Sequence, residues 1–237
     1  MMSDLTTTAQ ILVVYYSRFG VVKRLAECIA DGARREEGTA VDLLEIGDRP
    51  IEESLSEAVE TDMPRRRAAI LNRLTSADAL VVGAPGYFGS MASPVKRLFE
   101  DCATASNPPM SDRSRPWRHF RFHNKVGAAF TSTATPHGGN EETLLSILTM
   151  FMHLGMIVVT PGQQQPILEN ESPPYGATAV AGAEGTHMPT KSEEEVARNL
   201  GQRVAQVTTA LKLGFLRHSD QQSMRDLSRP YGSDRPV

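Results

Sequence analysis

The sequence predicts an α/β domain built on a doubly wound parallel sheet. Two observations predict this fold: apolar runs of buried-strand length recur along the chain, and the segments between them carry apolar residues at helical spacing. Strands that alternate with helices are joined by right-handed crossovers, so the helices cover both faces of the sheet. At 237 residues, of which 40% are hydrophobic, the chain is long enough for one such core.

The predicted elements follow in chain order. Strands are predicted at 11–16, 41–46, 79–84, 126–131 and 156–159. The first predicted helix carries an apolar stripe of Val22, Leu25, Ile29 and Ala33, and the last carries Val196, Leu200, Val204, Val207 and Leu211. Together these elements predict one domain at 11–213 that follows an N-terminal extension at 1–10.

Three segments fall outside this pattern. A loop insert is expected at about 104–124, and a long loop rich in proline and glycine is expected at 160–189. Within the second loop the stretch PYGATAVAG has no strand or helix pattern of its own. From residue 214 the chain is polar with little periodicity, so 214–237 is expected to be a C-terminal tail.

Composition excludes several classes of function. A formal net charge of −3 lacks the strongly basic balance of nucleic-acid-binding proteins. Cys28 and Cys102 lie in predicted helices without a CxxC motif, so neither a disulfide nor a metal site is expected. No run approaches the ~18 apolar residues of a membrane-spanning helix, and the N-terminus has no leader pattern. A cytoplasmic location without membrane contact is therefore expected.

The loop after the first strand has the features of an anion site. In the stretch SRFGVVK, Ser17 offers a hydroxyl, Gly20 allows a tight turn, and the next helix directs unpaired N–H groups into the gap. The loop is neither GxGxxG nor a GK[ST] phosphate loop, which disfavours a dinucleotide-binding fold and an ATPase. Taken alone, it also fits an ordinary strand-to-helix turn.

Two further loops are expected beside the first, because ligands of open α/β sheets lie beyond the carboxyl ends of the strands. The stretch GAPGYFGSM, at 83–91, predicts a tight turn that presents Tyr87 and Phe88 beside a flat ring. The stretch TSTATPHGGNEETLL, at 131–145, offers hydroxyl and N–H groups of Ser132, Thr133 and Thr135 to a polar ring edge. Together the three loops predict a flat phosphorylated ligand such as flavin mononucleotide (FMN).

Five stretches of the chain together resemble a known family. The stretches VVYYSRFG, VVGAPGYFGSM, AAFTSTATPHGGNEETLL, HLGMIVV and PYGATAVAG occur in this order. Over 11–213 they resemble the flavodoxin-like NAD(P)H:quinone oxidoreductases of the WrbA type. The resemblance implies a five-stranded parallel sheet of order 2-1-3-4-5, FMN as cofactor, NADH or NADPH as electron donor and a small quinone as acceptor. It also implies a homo-oligomer, either a dimer or a tetramer.

The resemblance further implies site residues. The phosphate loop is Ser17, Arg18, Phe19, Gly20, Val21 and Val22. The ring loop is Pro85, Gly86, Tyr87 and Phe88, and the flavin cradle is completed by Thr131, Ser132, Thr133, Ala134, Thr135 and Gly138. Trp117 resembles the family's active-site tryptophan, and with Tyr87 and Phe88 it is expected to form the walls on which the quinone stacks.

The chain departs from the family pattern at three places. Gly86 and Tyr87 replace a Thr-Arg pair of the ring loop, which removes a hydroxyl and a cation. Leu154 stands where the family has a histidine that faces the flavin. Val21 and Val22 replace a His-Ile pair of the phosphate loop, which keeps the backbone geometry and removes one side-chain contact.

The expected reaction is the reduction of a quinone to a hydroquinone by a two-electron, ping-pong hydride mechanism. Three alternatives stay open: a one-electron flavodoxin-type carrier, an NAD(P)H-dependent reductase of free flavin or azo dyes, and a regulatory relative with weakened catalysis. Near-neutral charge argues against the carrier, because such carriers are strongly acidic. The replacements at Gly86, Tyr87 and Leu154 keep the third alternative open.

Overall fold

A computed structural model describes residues 8–47, 63–104, 121–163 and 172–219. The elements in these ranges are β1 (Ala9–Tyr15), α1 (Val21–Ala33), β2 (Thr39–Glu45), α2 (Met63–Ser76), β3 (Ala79–Tyr87), β4 (Ser90–Met91), α3 (Ser93–Thr104), β5 (Val126–Thr133), α4 (Asn140–His153), β6 (Ile157–Val158), β7 (Ala177–Val180) and α5 (Lys191–Ser219). Strands and helices alternate along most of this order, as the sequence predicts.

The sheet has the predicted doubly wound order. Strands lie in the order β2-β1-β3-β5-β6, and β7 also pairs with β5. All of these pairings are parallel, whereas the two-residue β4 forms an antiparallel hairpin with β3. Since β6 and β7 share the fifth position, the predicted order 2-1-3-4-5 is confirmed.

Two apolar layers cover the sheet, because successive residues of a strand point to opposite faces. Ile11 and Val13 of β1 pack with α1 and α5 on one face, whereas Leu12 and Val14 pack with α2, α3 and α4 on the other. Both layers are closed to solvent at the centre of the sheet. A strand buried on both faces reads as a continuous apolar run, which is why β1, β3 and β5 were recognisable from sequence.

The fifth strand position is split in two. Strand β6 lies beside Val126 and Gly127 of β5, whereas β7 lies beside Phe130–Thr133. Directly before β7 lies Gly176, where a Cβ would lie 2.3 Å from the carbonyl oxygen of Ala129. The expectation that 174–182 has no strand is therefore wrong. Strand β7 is four residues long and mostly alanine and valine, too short to show a period of two.

Helix α5 is longer than the sequence predicts. It extends to Ser219, so the predicted start of the tail at 214 lies inside the helix. The rest of that tail, 220–237, and most of the predicted insert at 104–124 fall outside the described residues. Among the helices that the structure describes, none has the length and apolar character needed to span a membrane.

Helices α1 and α5 pack against each other through glycines. A Cβ on Gly32 would lie 1.9 Å from the carbonyl oxygen of Arg198, and one on Gly201 would lie 2.0 Å from that of Ile29. These distances allow no side chain, so the two backbones are in direct contact. Because α1 begins at the candidate site, this contact fixes where its N-terminus lies.

An ion-pair cluster joins the same helices at their solvent side. Arg24 Nε donates to Glu194 Oε1 at 2.6 Å, and Arg198 Nη2 donates to Glu194 Oε2 at 2.7 Å. The hydrogen bond from Arg24, helped by the one from Arg198, holds the pKa of the Glu194 carboxyl below its ordinary value. Both carboxylate oxygens thus have a charged donor.

Gly201→Ala is expected to lower the free energy of unfolding by about 2 kcal/mol, because the added methyl group must separate α1 from α5. Gly214→Ala is the matched control: it lies in the same helix, and its Cβ would meet nothing within 4 Å. The control should stabilise the protein by about 0.5–1 kcal/mol, since alanine is the better helix former. Urea unfolding measures both; equal effects would contradict the close helix contact.

Glu194→Gln is expected to lower the free energy of unfolding by about 1 kcal/mol at pH 7. The Glu194 pKa is lower in the folded than in the unfolded protein. Its stabilising contribution is therefore present above the ordinary glutamate pKa of about 4.3 and is lost as pH falls through the folded-state pKa. Denaturant unfolding from pH 7 to pH 3 should show the difference from wild type vanish in acid. Glu100→Gln, in an exposed pair with Lys96, should change little at any pH.

Candidate functional site

A cavity of about 360 Å³ lies at the carboxyl ends of the central strands. In the sheet, β1 lies between the next two strands of the chain, with β2 on one side of β1 and β3 on the other. Loops leave the sheet in opposite directions at such a reversal and open a crevice between them. Four chain segments line the cavity: 17–22 (without Gly20), 85–87, 132–134 and 181–185.

The first segment is a closed loop at the start of α1. Ser17 Oγ accepts hydrogen bonds from the N–H groups of Gly20 at 3.1 Å and Lys23 at 3.2 Å. Gly20 is the N-cap, and its φ of 94° is a left-handed conformation that favours glycine. The first turn of α1 holds no acidic residue. The N–H groups of Val21 and Val22 therefore face no competing carboxylate from their own helix.

The second segment is the carboxyl end of β3. Pro85 pairs with Ser132 in parallel, and Gly86 and Tyr87 pair with Met91 and Ser90 in the antiparallel hairpin. A Cβ on Gly86 would lie 2.6 Å from Thr143 Oγ1, so glycine lets α4 approach the strand closely. Tyr87 is 40% exposed at the rim of the cavity.

The hairpin turn carries Phe88 in a strained conformation. Phe88 has φ 52° and Gly89 has φ 73°, so both central residues of this two-residue turn are left-handed. Turns of this kind favour Asn, Asp or Gly at the first position, and a bulky residue there is strained by roughly 1 kcal/mol or more. The ring is also fully exposed. Neither local stability nor core packing explains this residue.

The third segment is the carboxyl end of β5, where two threonine hydroxyl groups form hydrogen bonds within the protein. Thr131 Oγ1 donates to the carbonyl oxygen of Ala84 at 2.7 Å and is buried. Thr133 Oγ1 donates to the carbonyl oxygen of Thr135 at 2.8 Å and lies 2.9 Å from Asn140 Oδ1. A threonine hydroxyl has one proton, so Thr133 has none left for a ligand. In this conformation the segment offers a ligand its backbone rather than the Thr133 hydroxyl.

The fourth segment, 181–185, was not predicted as part of the site. It follows β7, and Ala181 N–H donates to the carbonyl oxygen of Thr133 at 2.8 Å, which fixes it beside β5. Gly185 N–H donates to the carbonyl oxygen of Gly182 at 3.0 Å and closes a four-residue turn. In the sequence, Gly182 and Gly185 are three residues apart and follow a run of small, mostly apolar residues, a pattern that indicates a turn.

The residues present fit a flat phosphorylated ligand. At one end lie the start of α1, the Ser17 hydroxyl, whose own proton neither N–H bond uses, and the Arg18 guanidinium; these groups favour a phosphate. Along the rest, Gly86, Ala134 and the small residues 181–183 leave backbone groups close to the ligand. In the described ranges no group of three or more His, Cys, Asp or Glu could hold a metal ion.

The structure brings most of the predicted site residues together. Lining the cavity are Ser17, Arg18, Phe19, Val21, Val22, Pro85, Gly86, Tyr87, Ser132, Thr133 and Ala134. Outside its lining lie Gly20, Phe88, Thr131, Thr135 and Gly138. Trp117 falls outside the described residues and stays a prediction. Leu154 caps the carboxyl end of α4 and packs on the core, away from the cavity.

Comparisons with known proteins agree with this geometry. The family model described as NADPH-dependent FMN reductase matches residues 11–165. A protein of Chromohalobacter salexigens named NAD(P)H dehydrogenase (quinone) is 36% identical over 212 residues, which cover 86% of this chain and 98% of the relative. A protein of the same name from Methylocella silvestris is 36% identical over 210 residues and covers 86% of this chain and 99% of its own.

A solved structure is similar over the same length. The flavodoxin, WrbA-like protein from Agrobacterium tumefaciens aligns with a TM-score of 0.57 and 25% identity. The alignment covers 85% of this chain and 98% of that chain. Sequence and structure therefore identify the same group of proteins.

Phe88→Asn is expected to raise the free energy of unfolding by about 1 kcal/mol, because asparagine tolerates the left-handed turn position and no packing is lost. Asn124, with φ 63°, is the other non-glycine residue of the described chain at positive φ and gives the reverse control. Asn124→Ala should lower stability by a similar amount. Urea unfolding compares the three proteins; a Phe88→Asn protein less stable than wild type would exclude the strain.

Proposed function

This chain belongs to the family of NADPH-dependent FMN reductases, and within it to the WrbA-type flavodoxin-like quinone oxidoreductases; from this premise we propose that it reduces quinones to hydroquinones by two electrons. It is an oxidoreductase that uses FMN as cofactor and NAD(P)H as electron donor. We propose further that donor and acceptor bind in turn at one position, which is a ping-pong mechanism.

The observation that carries this proposal is the cavity at the reversal of strand order. Its phosphate end is enclosed by the loop 17–22, whereas Tyr87 stands at a rim that is open to solvent. A ligand held by its phosphate at α1 would leave one side of its ring system near Tyr87. Two planar reactants that must both reach that side would have to bind one after the other.

The chain's own residues bind and orient in this proposal. Val21 and Val22 N–H, the Ser17 hydroxyl and Arg18 bind the phosphate. The redox chemistry, hydride uptake from NAD(P)H and delivery of two electrons to the quinone, is that of the cofactor when it is bound. Backbone groups at Gly86 and Ala134 orient the ring, and Tyr87 offers an aromatic wall for the acceptor. No side-chain nucleophile takes part.

Phe88 and Trp117 are proposed as further walls for the acceptor. Support for Phe88 is its fully exposed ring on a strained turn next to Tyr87, a combination that no folding requirement explains. Residues held in strained conformations are concentrated at functional sites. Trp117 is proposed on the family resemblance alone.

The purified protein should be yellow, lose its flavin absorbance with NADPH under anaerobic conditions, and regain it with benzoquinone. Initial rates at several benzoquinone concentrations should give parallel double-reciprocal lines, the pattern of a ping-pong mechanism. Intersecting lines would contradict the shared position. Faster turnover of free FMN or an azo dye than of benzoquinone would favour the alternative reductase, and a colourless protein that binds no FMN would exclude a flavoenzyme.

A matched pair of serine variants links this test to the cavity. Ser17→Ala removes the acceptor of two backbone N–H groups and a hydroxyl donor, so FMN affinity should fall about tenfold. Ser76→Ala removes a hydroxyl that donates to the carbonyl oxygen of Arg73 at the end of α2, and it should leave FMN affinity unchanged.

Two expectations from the sequence stay predictions. A homo-oligomer is supported by Leu145 and Met152, apolar residues seven apart on α4 that are 43% and 59% exposed. Light scattering of the purified protein measures the mass directly. A cytoplasmic location is supported by the need for NAD(P)H, and cell fractionation tests it.

A further inference from the structure

One contact between two loops lies in the wall of the cavity, beside the start of α1. Phe19, directly before the N-cap of α1, and Gly185, in the turn after β7, both line the cavity. A Cβ on Gly185 would lie 2.8 Å and 3.2 Å from two ring atoms of Phe19, so the ring lies directly over the glycine. Phe19 is still 57% exposed, which places its ring at the rim rather than in the core.

The surface under the ring is firmly held. The four-residue turn that ends in Gly185 is braced from behind, because His187 N–H donates to the carbonyl oxygen of Ala181 at 2.8 Å. The buried carboxylate of Glu193 accepts from Val180 N–H at 2.9 Å and from Thr190 N–H at 2.7 Å. The turn therefore cannot move outward without breaking bonds at both of its ends.

Each of the two loops also carries a charged residue that lines the cavity. The Arg18 guanidinium carbon lies 5.6 Å from the centroid of Phe19, a cation–π distance. Glu184 lies on the opposite loop and also lines the cavity. The start of α1, Arg18, the Phe19–Gly185 contact and Glu184 thus all belong to one wall of the cavity.

We propose that Phe19, which lies on Gly185, together with the neighbouring Glu184, restricts this site to flavin mononucleotides and excludes flavins that continue beyond the first phosphate. The inference rests on the proposed function, since it assumes that the cavity holds a flavin by its phosphate. The family resemblance supplies the cofactor but not these three residues as its selectivity filter.

The selectivity has two physical parts. A dinucleotide such as FAD carries a second phosphate and an adenosine, so it can bind only if Phe19 leaves Gly185 and loses its apolar contact. Its second phosphate would also lie near the Glu184 carboxylate, and like charges repel more strongly at low ionic strength. FMN needs neither change.

The test is a titration of the flavin-free protein with FMN and with FAD, followed by quenching of flavin fluorescence. Wild type should bind FMN about 100-fold more tightly than FAD, because two phosphate-end penalties of about tenfold each apply only to FAD. Phe19→Ala should narrow that ratio about tenfold. Glu184→Gln should reduce the preference for FMN over FAD severalfold at low salt and only slightly at high salt.

Two glycine variants separate the contact from general loss of stability. Gly185→Ala adds a Cβ under the Phe19 ring at φ +72°, so it should displace the ring and narrow the ratio as Phe19→Ala does. Gly38→Ala places the same strain at φ +75°, at the opposite edge of the sheet and with nothing within 4 Å of the Cβ. The control should leave the ratio as in wild type.

The outcomes are distinct. A wild-type protein that binds FAD as tightly as FMN, or an unchanged ratio in both Phe19→Ala and Gly185→Ala, overturns the inference and leaves the proposed function intact. A protein that binds neither flavin overturns both. Narrowed ratios in Phe19→Ala and Gly185→Ala, with an unchanged ratio in Gly38→Ala, support it.

Discussion

The parallel pairing of β1, β3 and β5 is the constraint on which the site depends. Tyr15 of β1 lies beside Gly83 of β3, and Gly83 lies beside Phe130 of β5, so the three strands end close together at one edge. This pairing requires glycine at 83, because a Cβ there would lie 2.2 Å from the Phe130 ring. The apolar ring fills the core below the cavity, and the loops above it leave the sheet side by side. A shift in this register would separate the segments that line the cavity.

Most of the polar groups at this edge serve the fold before they serve a ligand. The Ser17 hydroxyl oxygen closes the first loop, Thr131 ties β5 to β3, and Thr133 holds the turn at Thr135. The groups that remain free to bind a ligand are therefore chiefly backbone N–H groups, which rigid elements hold in place and which cannot rotate away. The exceptions include the proton of the Ser17 hydroxyl and the charged groups of Arg18 and Glu184, where charge can distinguish one ligand from another.

The sequence predicted the parts of the structure in which local pattern and tertiary environment agree. β1, β3 and β5 are buried on both faces, so their apolar runs identified them, and the loops after them followed from the rule for parallel sheets. β7 and the turn at 182–185 were missed because four small residues and two glycines carry no period, and only their bonds to β5 and α5 define them. The use of the Thr133 hydroxyl could not be predicted either, because it depends on Asn140 and Thr135 lying near it in space.

Two of the departures from the family pattern, at Gly86 and Leu154, lie outside the cradle at α1. Glycine at 86 removes a side chain, and the space that a Cβ would take is bounded by Thr143 and Thr133. Leu154 lies at the end of α4 near β6, at the edge of the sheet opposite to the cavity, so its replacement does not alter the cavity wall within one chain. Both departures therefore leave the cradle at α1 in place, and only the one at Gly86 changes the chemistry of the cavity wall. Such a change alters which acceptors bind well more readily than it abolishes cofactor binding, which argues against a regulatory relative that has lost its catalytic activity.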